Sequence, residues 1–192
     1  MLSKFHHCSL RSTLSQFVLS LCFLQFTVLA PPVEASSIQP SAPGLSFLYT
    51  AYVECKGNLM EAAGPHGIRR AIPIVGGNFT GPRISGEILD LGADWGLVDP
   101  KTNIFSADTR YNLRTNDGAD IFIQTAGPKS PSGQLHLRLI FETGSEKYYW
   151  LNNIVAIGVL TPVQRSGDSS VLRIDAWNFA SDWNSTTFVG NN

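Results

Sequence analysis

Short apolar runs separated by turn-forming residues follow one another along most of the chain. They begin at position 45 and recur about every 8 to 16 residues, with Gly, Pro, Asn and Asp between them. Short strands at such spacing are typical of an antiparallel sandwich or barrel, so the pattern predicts an all-β fold. The predicted strands cover residues 45–54, 72–75, 83–89, 106–115, 121–125, 135–142, 154–160 and 171–177.

Two turns and two short helical segments connect these strands. The Asp117-Gly118 pair can take positive φ, which predicts a hairpin between the strands on either side of it. Gly167-Asp168 predicts a second hairpin between the last two strands. Residues 58–63 and 148–153 are each long enough for one or two helical turns only. Helix is therefore expected to be a minor component.

Side-chain alternation gives two of the predicted strands one apolar and one more polar face. In residues 135–142 three leucines and a phenylalanine alternate with His, Arg, Ile and Glu. In residues 108–114 Tyr111 and Leu113 share a face, and the opposite face is charged or polar. A sandwich would leave the charged faces in solvent, and the residues alone favour that arrangement. A closed barrel would turn one face inside, where polar residues would line a cavity.

The first 35 residues have the pattern of an export signal. A basic start with Lys4 and Arg11 precedes an apolar run over residues 17–30, and residues 33–35 (VEA) form a small-residue cleavage pattern. The run is too short and too interrupted for a comfortable transmembrane helix, and an uncleaved anchor is the alternative. We therefore expect residues 1–35 to be a signal peptide.

Cleavage would leave a linker and one domain of ordinary size. Residues 36–44 are small, polar and proline-bearing, which predicts the linker, and residues 45–192 form the predicted domain. The expected location is the secretory pathway or the extracellular space, with no stable membrane insertion after cleavage. Asn78 and Asn184 begin sequons, which predict N-glycosylation in a eukaryotic secretory route.

The charge and the cysteine content of the chain argue against a nucleic-acid partner and against a disulfide bond. The chain carries 14 Lys and Arg against 15 Asp and Glu, a formal net charge of −1, and no basic patch, which argues against a nucleic-acid partner. Cys8 and Cys22 lie in the predicted signal, so the mature chain keeps Cys55 alone. An intrachain disulfide is therefore not expected.

The sequence contains no motif typical of a nucleotide-binding loop or of a zinc site. The glycine-bearing segment 76–81 is followed by Pro82-Arg83, where a phosphate-binding loop needs Lys and then Ser or Thr. His66 and His136 are the two histidines beyond the signal, which with one cysteine argues against a zinc site. The sequence predicts no metal and no cofactor, so any catalysis would be acid/base work by side chains.

Four blocks between Arg70 and Val159 resemble, in order and spacing, the DUF3237 family, also called UPF0311. The blocks are residues 72–82 (IPIVGGNFTGP), 92–95 (GADW), 110–119 (RYNLRTNDGA), and 141–144 (FETG) with 149–152 (YWLN). Many relatives run PGGAD before the tryptophan, where this chain has DLGAD. The resemblance implies a single antiparallel, lipocalin-like β-barrel with one or two short helical turns. Related proteins of natural-product gene clusters are associated with ring closure or isomerisation without cofactors.

A barrel with an internal pocket suggests roles for the residues of these blocks. Asp94 would exchange a proton if its surroundings raise its pKa, Arg110 would hold a developing oxyanion, and Tyr111 would give or take a proton. The plain alternatives are that Asp94 caps a turn and that the arginines pair with nearby aspartates on a solvated face. The predicted substrate-binding residues are Trp95, Arg114, Glu142, Tyr149 and Trp150.

Two functions follow as hypotheses. The first is a cofactor-independent cyclase or isomerase that acts on an aromatic or terpenoid metabolite, by adding a hydroxyl to an alkene within one molecule or by shifting a proton. The alternative is a secreted, non-catalytic carrier of a small apolar metabolite, with Trp95, Tyr149 and Trp150 as pocket walls. In both cases the expected partner is a small molecule, and a homodimer is left open. A secreted structural protein with solvated polar faces is a third, plainer hypothesis.

Overall fold

A computed structural model describes residues 42–180 of the chain. The predicted signal peptide, the linker up to residue 41 and the second sequon, at Asn184, lie outside the described residues. The first sequon lies inside them, and the structure places Asn78 at an exposed position near the end of a strand.

The described part of the chain contains eleven strands and one 3₁₀ helix. The helix spans Glu146–Asn153. The strands are β1 Gly44–Cys55, β2 Met60–Gly64, β3 Gly67–Thr80, β4 Ser85–Ile88, β5 Gly92–Asp94, β6 Leu97–Val98, β7 Phe105–Thr115, β8 Asp120–Pro128, β9 Leu135–Glu142, β10 Ala156–Ser166 and β11 Ser169–Ala180.

The strands form one antiparallel sheet that closes on itself. Its order is β1-β11-β10-β9-β8-β7-β4-β3, and β1 also pairs with β3, so the first and last members of the series are neighbours. The short strands β4, β5 and β6 follow one another between β3 and β7, which gives a ring of eight positions. β2 is a flap that pairs with β3 outside the ring. The all-β barrel implied by the family resemblance is confirmed, and the sandwich favoured by the residues alone is wrong.

The apolar phase of each long strand points into the barrel. In β9 the side chains of the odd-numbered residues, from Leu135 to Phe141, are buried, and the even-numbered ones are exposed. In β7, Tyr111 and Leu113 are likewise buried, whereas Arg110 and Arg114 are exposed. Burying a leucine is favourable, whereas burying an unpaired guanidinium costs free energy, so this phase is the stable one.

One half of the barrel is a packed core. Tyr49 contacts Phe79 and Phe141 edge-on, with ring centroids 5.7 and 6.2 Å apart. Tyr148 and Leu151 of the 3₁₀ helix are buried against the same core. The end of the barrel that carries the helix is therefore filled with side chains, and free volume lies towards the opposite end.

The predicted turns and helices have different outcomes. Gly118 (φ +88°) and Gly167 (φ +55°) form the two expected hairpin turns. The helical segment predicted over 148–153 lies within the 3₁₀ helix. The segment predicted over 58–63 is wrong, because its second half is strand β2, whose backbone is paired to β3. In the described part of the chain no helix is long and apolar enough to cross a membrane.

Barrel closure depends on a close approach of β1 and β3 at Gly77. This glycine has φ +132°, and a Cβ there would lie 2.0 Å from the carbonyl oxygen of Tyr52. We predict that Gly77→Ala lowers the free energy of unfolding by about 3 kcal/mol, because both strain and a backbone clash oppose it. Chemical denaturation of the two proteins measures this.

Gly144→Ala is the matched control, because nothing lies within 4 Å of the position a Cβ would take there. It should change the free energy of unfolding by no more than about 0.5 kcal/mol. Equal losses in the two variants would contradict the role given to Gly77.

Candidate functional site

A chamber of about 200 Å³ lies inside the barrel, towards the end opposite the 3₁₀ helix. Its wall is mostly aliphatic, and a carboxyl group, a phenol, a thiol and three aliphatic hydroxyls interrupt it. The lining residues are Val53, Cys55, Ile72, Ile74, Asp94, Phe105, Thr109, Tyr111, Thr125, Leu135, Leu160, Pro162, Ser170, Leu172 and Ile174.

Strand alternation explains why an acid and an indole are adjacent in the sequence. Asp94 ends β5, where it pairs with Ile72 of β3 and Thr109 of β7, and all three side chains line the chamber. Its neighbour Trp95 must point the other way, and its side chain is 41% exposed on the outer wall. The two side chains therefore lie on opposite sides of the barrel wall.

A break between β5 and β6 holds the Asp94 carboxyl in place. The backbone N–H of Asp108 donates to Asp94 Oδ1 over 2.9 Å, and the backbone N–H of Trp95 donates to the Asp108 carbonyl over 3.0 Å. Gly96 follows, and a Cβ there would lie 2.3 Å from the ring of Phe105, which lines the chamber. The glycine thus allows the aromatic ring to lie beside the acid.

On the outer side of the barrel, Arg69 contacts both segments that meet at the break between β5 and β6. Its guanidinium Nη1 donates to the carbonyl oxygen of Trp95 and lies 4.0 Å from Asp108 Oδ2. The same arginine is close enough to favour ionisation of Asp94, although this effect is small. Arg69 is therefore a positioning group for the corner, and the sequence alone did not identify it.

The pKa of Asp94 is raised from its ordinary value to about 6. The largest cause is burial, which removes water from the carboxylate, and the charge of Asp108 adds to it. The hydrogen bond from the Asp108 backbone and the charge of Arg69 act in the opposite direction but do not cancel it. A carboxyl group with this pKa can both hold and release a proton near neutral pH.

Tyr111 and Cys55 are the chemical neighbours of Asp94 in the chamber. Burial raises the pKa of the Cys55 thiol to about 12, and the nearby Asp94 charge contributes. Burial also raises the pKa of Tyr111, so its phenol stays protonated at neutral pH. Beyond Tyr111, the hydroxyl of the buried Tyr49 has no hydrogen-bond partner within residues 42–180. Because Tyr111 lines the chamber and its phenol stays protonated, it can donate a hydrogen bond to an oxygen there.

The two threonines of the wall are satisfied by each other. Thr109 and Thr125 are cross-strand partners whose hydroxyls share a hydrogen bond, and Thr109 Oγ1 also lies 3.2 Å from the Thr125 carbonyl oxygen. Asp94, Tyr111 and Cys55 are therefore the groups in this part of the chamber that a ligand can meet. Among the residues that the structure describes, no three His, Cys, Asp or Glu side chains are grouped to hold a metal ion.

The structure does not bring the predicted arginines to the chamber. Arg110 lies on the outer wall with its guanidinium 3.1 Å from Asp108 Oδ1, and Arg114 lies there 2.8 Å from Asp120 Oδ1. The expected grouping of Asp94, Arg110 and Tyr111 is therefore not formed, because the charged phase of β7 faces solvent. This matches the plain alternative of paired arginines on a solvated face.

The remaining predicted residues also lie away from Asp94. Glu142 and Tyr149 are exposed and share a shallow outer groove with Arg114, while Trp95 and Arg110 share a second one. Trp150 is partly buried against the core, with the Arg83 guanidinium 3.9 Å from the centre of its ring. Trp150 thus belongs to the end of the barrel that carries the 3₁₀ helix.

A wide vestibule of about 710 Å³, lined by both polar and apolar side chains, adjoins the chamber. The β2–β3 and β10–β11 hairpins supply its walls, and Ile72, Pro162, Ser170 and Leu172 line both spaces. The vestibule also holds charged side chains. They are Lys56, Glu61, Arg70, Arg165 and Asp168.

Several residues that line the chamber or the vestibule were not predicted from the sequence. Thr109 is in phase with Tyr111 on β7, and Cys55 is in phase with Val53 on β1, so alternation could have found both. Lys56 and Arg165 are far apart in the sequence and belong to no motif. The closure of the barrel alone brings them to one opening.

Comparison with known proteins agrees with this fold. A family model described as a protein of unknown function, DUF3237, matches residues 43–134. A UPF0311 protein of Rhodopseudomonas palustris is 32% identical over 109 residues, which are 48% of this chain and 71% of that protein. The hydroalkoxylation enzyme phnH of Penicillium herquei is 30% identical over 126 residues, which are 66% of this chain and 80% of that protein.

A solved structure shows the same architecture. The crystal structure of a β-barrel-like protein from Acinetobacter baumannii superposes with a TM-score of 0.61 at 34% identity, covering 74% of this chain and 99% of that one. The match in sequence and the closed antiparallel barrel lead to one assignment. The chain belongs to the DUF3237 (UPF0311) family.

Proposed function

We propose that this protein is a cofactor-independent cyclase or isomerase that acts on an aromatic or terpenoid metabolite by acid/base chemistry. The observation that carries the proposal is the Asp94 carboxyl, which lies in the wall of an apolar chamber with its pKa raised to about 6. The similarity to a protein named a hydroalkoxylation enzyme supports a cyclase-type role at the level of the family.

Ring closure in the chamber requires a proton donor and a proton acceptor but no oxidant or reductant. The Asp94 carboxylic acid gives its proton to one carbon of a substrate alkene, and a hydroxyl oxygen of the same molecule bonds to the other carbon. The hydroxyl proton returns to the Asp94 carboxylate, so substrate and product have the same formula. A positioned acid and base contributes about 10²- to 10⁴-fold to the rate of such a step.

Tyr111 and the chamber walls orient the substrate for this reaction. The protonated phenol of Tyr111 donates a hydrogen bond to the hydroxyl oxygen that closes the ring. The aliphatic wall excludes water and holds the alkene beside the acid, which replaces a random encounter by a fixed geometry. A single face of the alkene is then presented to Asp94, so one enantiomer forms.

The carrier hypothesis uses the same chamber without chemistry. A carrier needs apolar walls and a fitting volume, and it has no use for an acid whose pKa is shifted towards neutrality. The role of Asp94 therefore separates the two functions. The residues first expected as carrier walls, Trp95 and Tyr149, face the outer surface.

Asp94→Asn tests the role of this acid. The amide can still accept the hydrogen bond from the Asp108 backbone, so the corner is kept, but it cannot donate a proton to carbon. We expect kcat to fall about 10²- to 10⁴-fold while the dissociation constant of the substrate changes less than about threefold. The assay follows a panel of ortho-alkenyl phenols, beginning with 2-allylphenol, by chiral chromatography and mass spectrometry.

Asp120→Asn is the matched control, because this carboxylate is paired with Arg114 on the outer wall. It should leave kcat unchanged. If the wild-type protein binds members of the panel and returns all of them unchanged, the enzyme hypothesis is wrong and the carrier hypothesis takes its place.

The dependence of turnover and stability on pH also tests the role of Asp94. Because proton donation starts the reaction, kcat should fall as pH rises through about 6, the pKa of Asp94. The folded protein holds the Asp94 proton more tightly than the unfolded chain, so this group also lowers stability as pH rises from about 4 to about 6. Asp94→Asn does not titrate, and its advantage in unfolding free energy should grow by up to about 3 kcal/mol between pH 4 and pH 7.

Denaturant titrations of both proteins at pH 4, 5, 6 and 7 measure the stability effect without any substrate. A constant difference between the two proteins over this range would show that Asp94 keeps its ordinary pKa. The acid role would then lose its physical basis.

A further inference from the structure

The chamber is small compared with the opening that leads to it. An apolar cavity of about 150 Å³ accommodates one benzene ring. At about 200 Å³ the chamber holds one ring or a branched alkenyl group with few substituents. A larger metabolite must therefore leave part of its body in the vestibule, whose volume is about 710 Å³.

The vestibule continues the chamber along the barrel wall. Ser170 lines both spaces and pairs with Cys55 of β1 on one side and Arg165 of β10 on the other. Cross-strand partners point to the same side of a sheet, so Arg165 lies one strand away from a chamber residue. Lys56 follows Cys55 directly in the chain and also lines the vestibule. Both cations therefore lie at the edge of the chamber.

The charges of the vestibule are unequally paired. Glu61 accepts a hydrogen bond from Arg70 Nε over 2.8 Å, so these two neutralise each other. Within residues 42–180 no carboxylate lies within 4.0 Å of the charged nitrogens of Lys56 or Arg165. Asp168 is the remaining acid of the vestibule. Two cations thus face one carboxylate, which favours an anion in this space.

We propose that the ligand is an amphipathic anion whose apolar ring or alkenyl group enters the chamber while its carboxylate or phenolate lies between Lys56 and Arg165. This inference rests on the proposed function for the reaction but concerns a separate part of the site. It gives Lys56 and Arg165 the anion-binding role that the sequence analysis gave to Arg110, and they also take the place of Arg114 as substrate-binding cations. Arg110 and Arg114 differ from these two residues in that they pair with carboxylates on the outer wall.

Binding of 4-phenylbutyrate and of its neutral analogue 4-phenylbutanamide, measured by isothermal titration calorimetry, tests the proposal. Both probes carry one ring of chamber size, and they differ in charge at the other end. The acid should bind about three- to tenfold more tightly than the amide, as expected for contacts with two exposed cations. The ratio should shrink at 300 mM NaCl, because salt screens exposed charges.

Variants assign the preference to its residues. Lys56→Gln together with Arg165→Gln should abolish the difference between acid and amide and leave the affinity for the amide within about twofold. Lys129→Gln together with Arg138→Gln, which removes two exposed cations away from the vestibule, should leave the preference intact. Equal binding of the two probes, binding of neither, or a preference that survives in the first double variant would overturn the proposal.

These outcomes are independent of the reaction. If the acid is preferred and no alkenyl phenol is converted, the anion subsite stands and the cyclase hypothesis fails. If a neutral phenol is converted, and the variant without Lys56 and Arg165 keeps both the ratio of acid to amide affinity and the KM, the cyclase hypothesis stands and the anion subsite fails.

Discussion

The pairing of β1 with β3 is the constraint on which the other features depend. It removes both edges of the sheet and fixes a ring of eight positions, and a ring of this size leaves room inside for side chains or for one small ligand. Because Tyr49, Phe79 and Phe141 fill the half near the 3₁₀ helix, the free volume is confined to the other half. The size of the chamber is therefore a consequence of closure and of where the aromatic residues lie.

Closure also decides which side chains can take part in chemistry. Once the apolar phase of the strands points inward, every charged residue in the opposite phase is on the outer wall, and this excludes Arg110 from the chamber. Asp94 is an exception and points inward. It ends a strand of three residues, and at the break in strand pairing that follows, its carboxyl accepts a hydrogen bond from the backbone N–H of Asp108. The acid can be inside because the irregular backbone supplies it with a hydrogen-bond donor.

The sequence predicts eight of the eleven described strands and the two hairpins, because alternation and turn chemistry are local properties, but it misses the short strands β2, β5 and β6. Residues 135–142 match β9, and the Asp117-Gly118 turn lies where expected. The predicted helix over 58–63 failed because the backbone of β2 finds hydrogen-bond partners in β3, which no local pattern announces. Asp94 and Tyr111 line the chamber, but which phase faces inward, and which distant cations meet at the opening, depend on tertiary closure.

The buried acid contributes less to folding than an uncharged residue would at the same position. An asparagine could accept the same backbone hydrogen bond, and it would avoid the cost of dehydrating a carboxylate at neutral pH. The feature that only the acid supplies is an exchangeable proton near pH 6, facing an apolar space and a phenol that stays protonated. Stability therefore gives no reason for a carboxyl here, whereas proton transfer to a ligand in the chamber requires one.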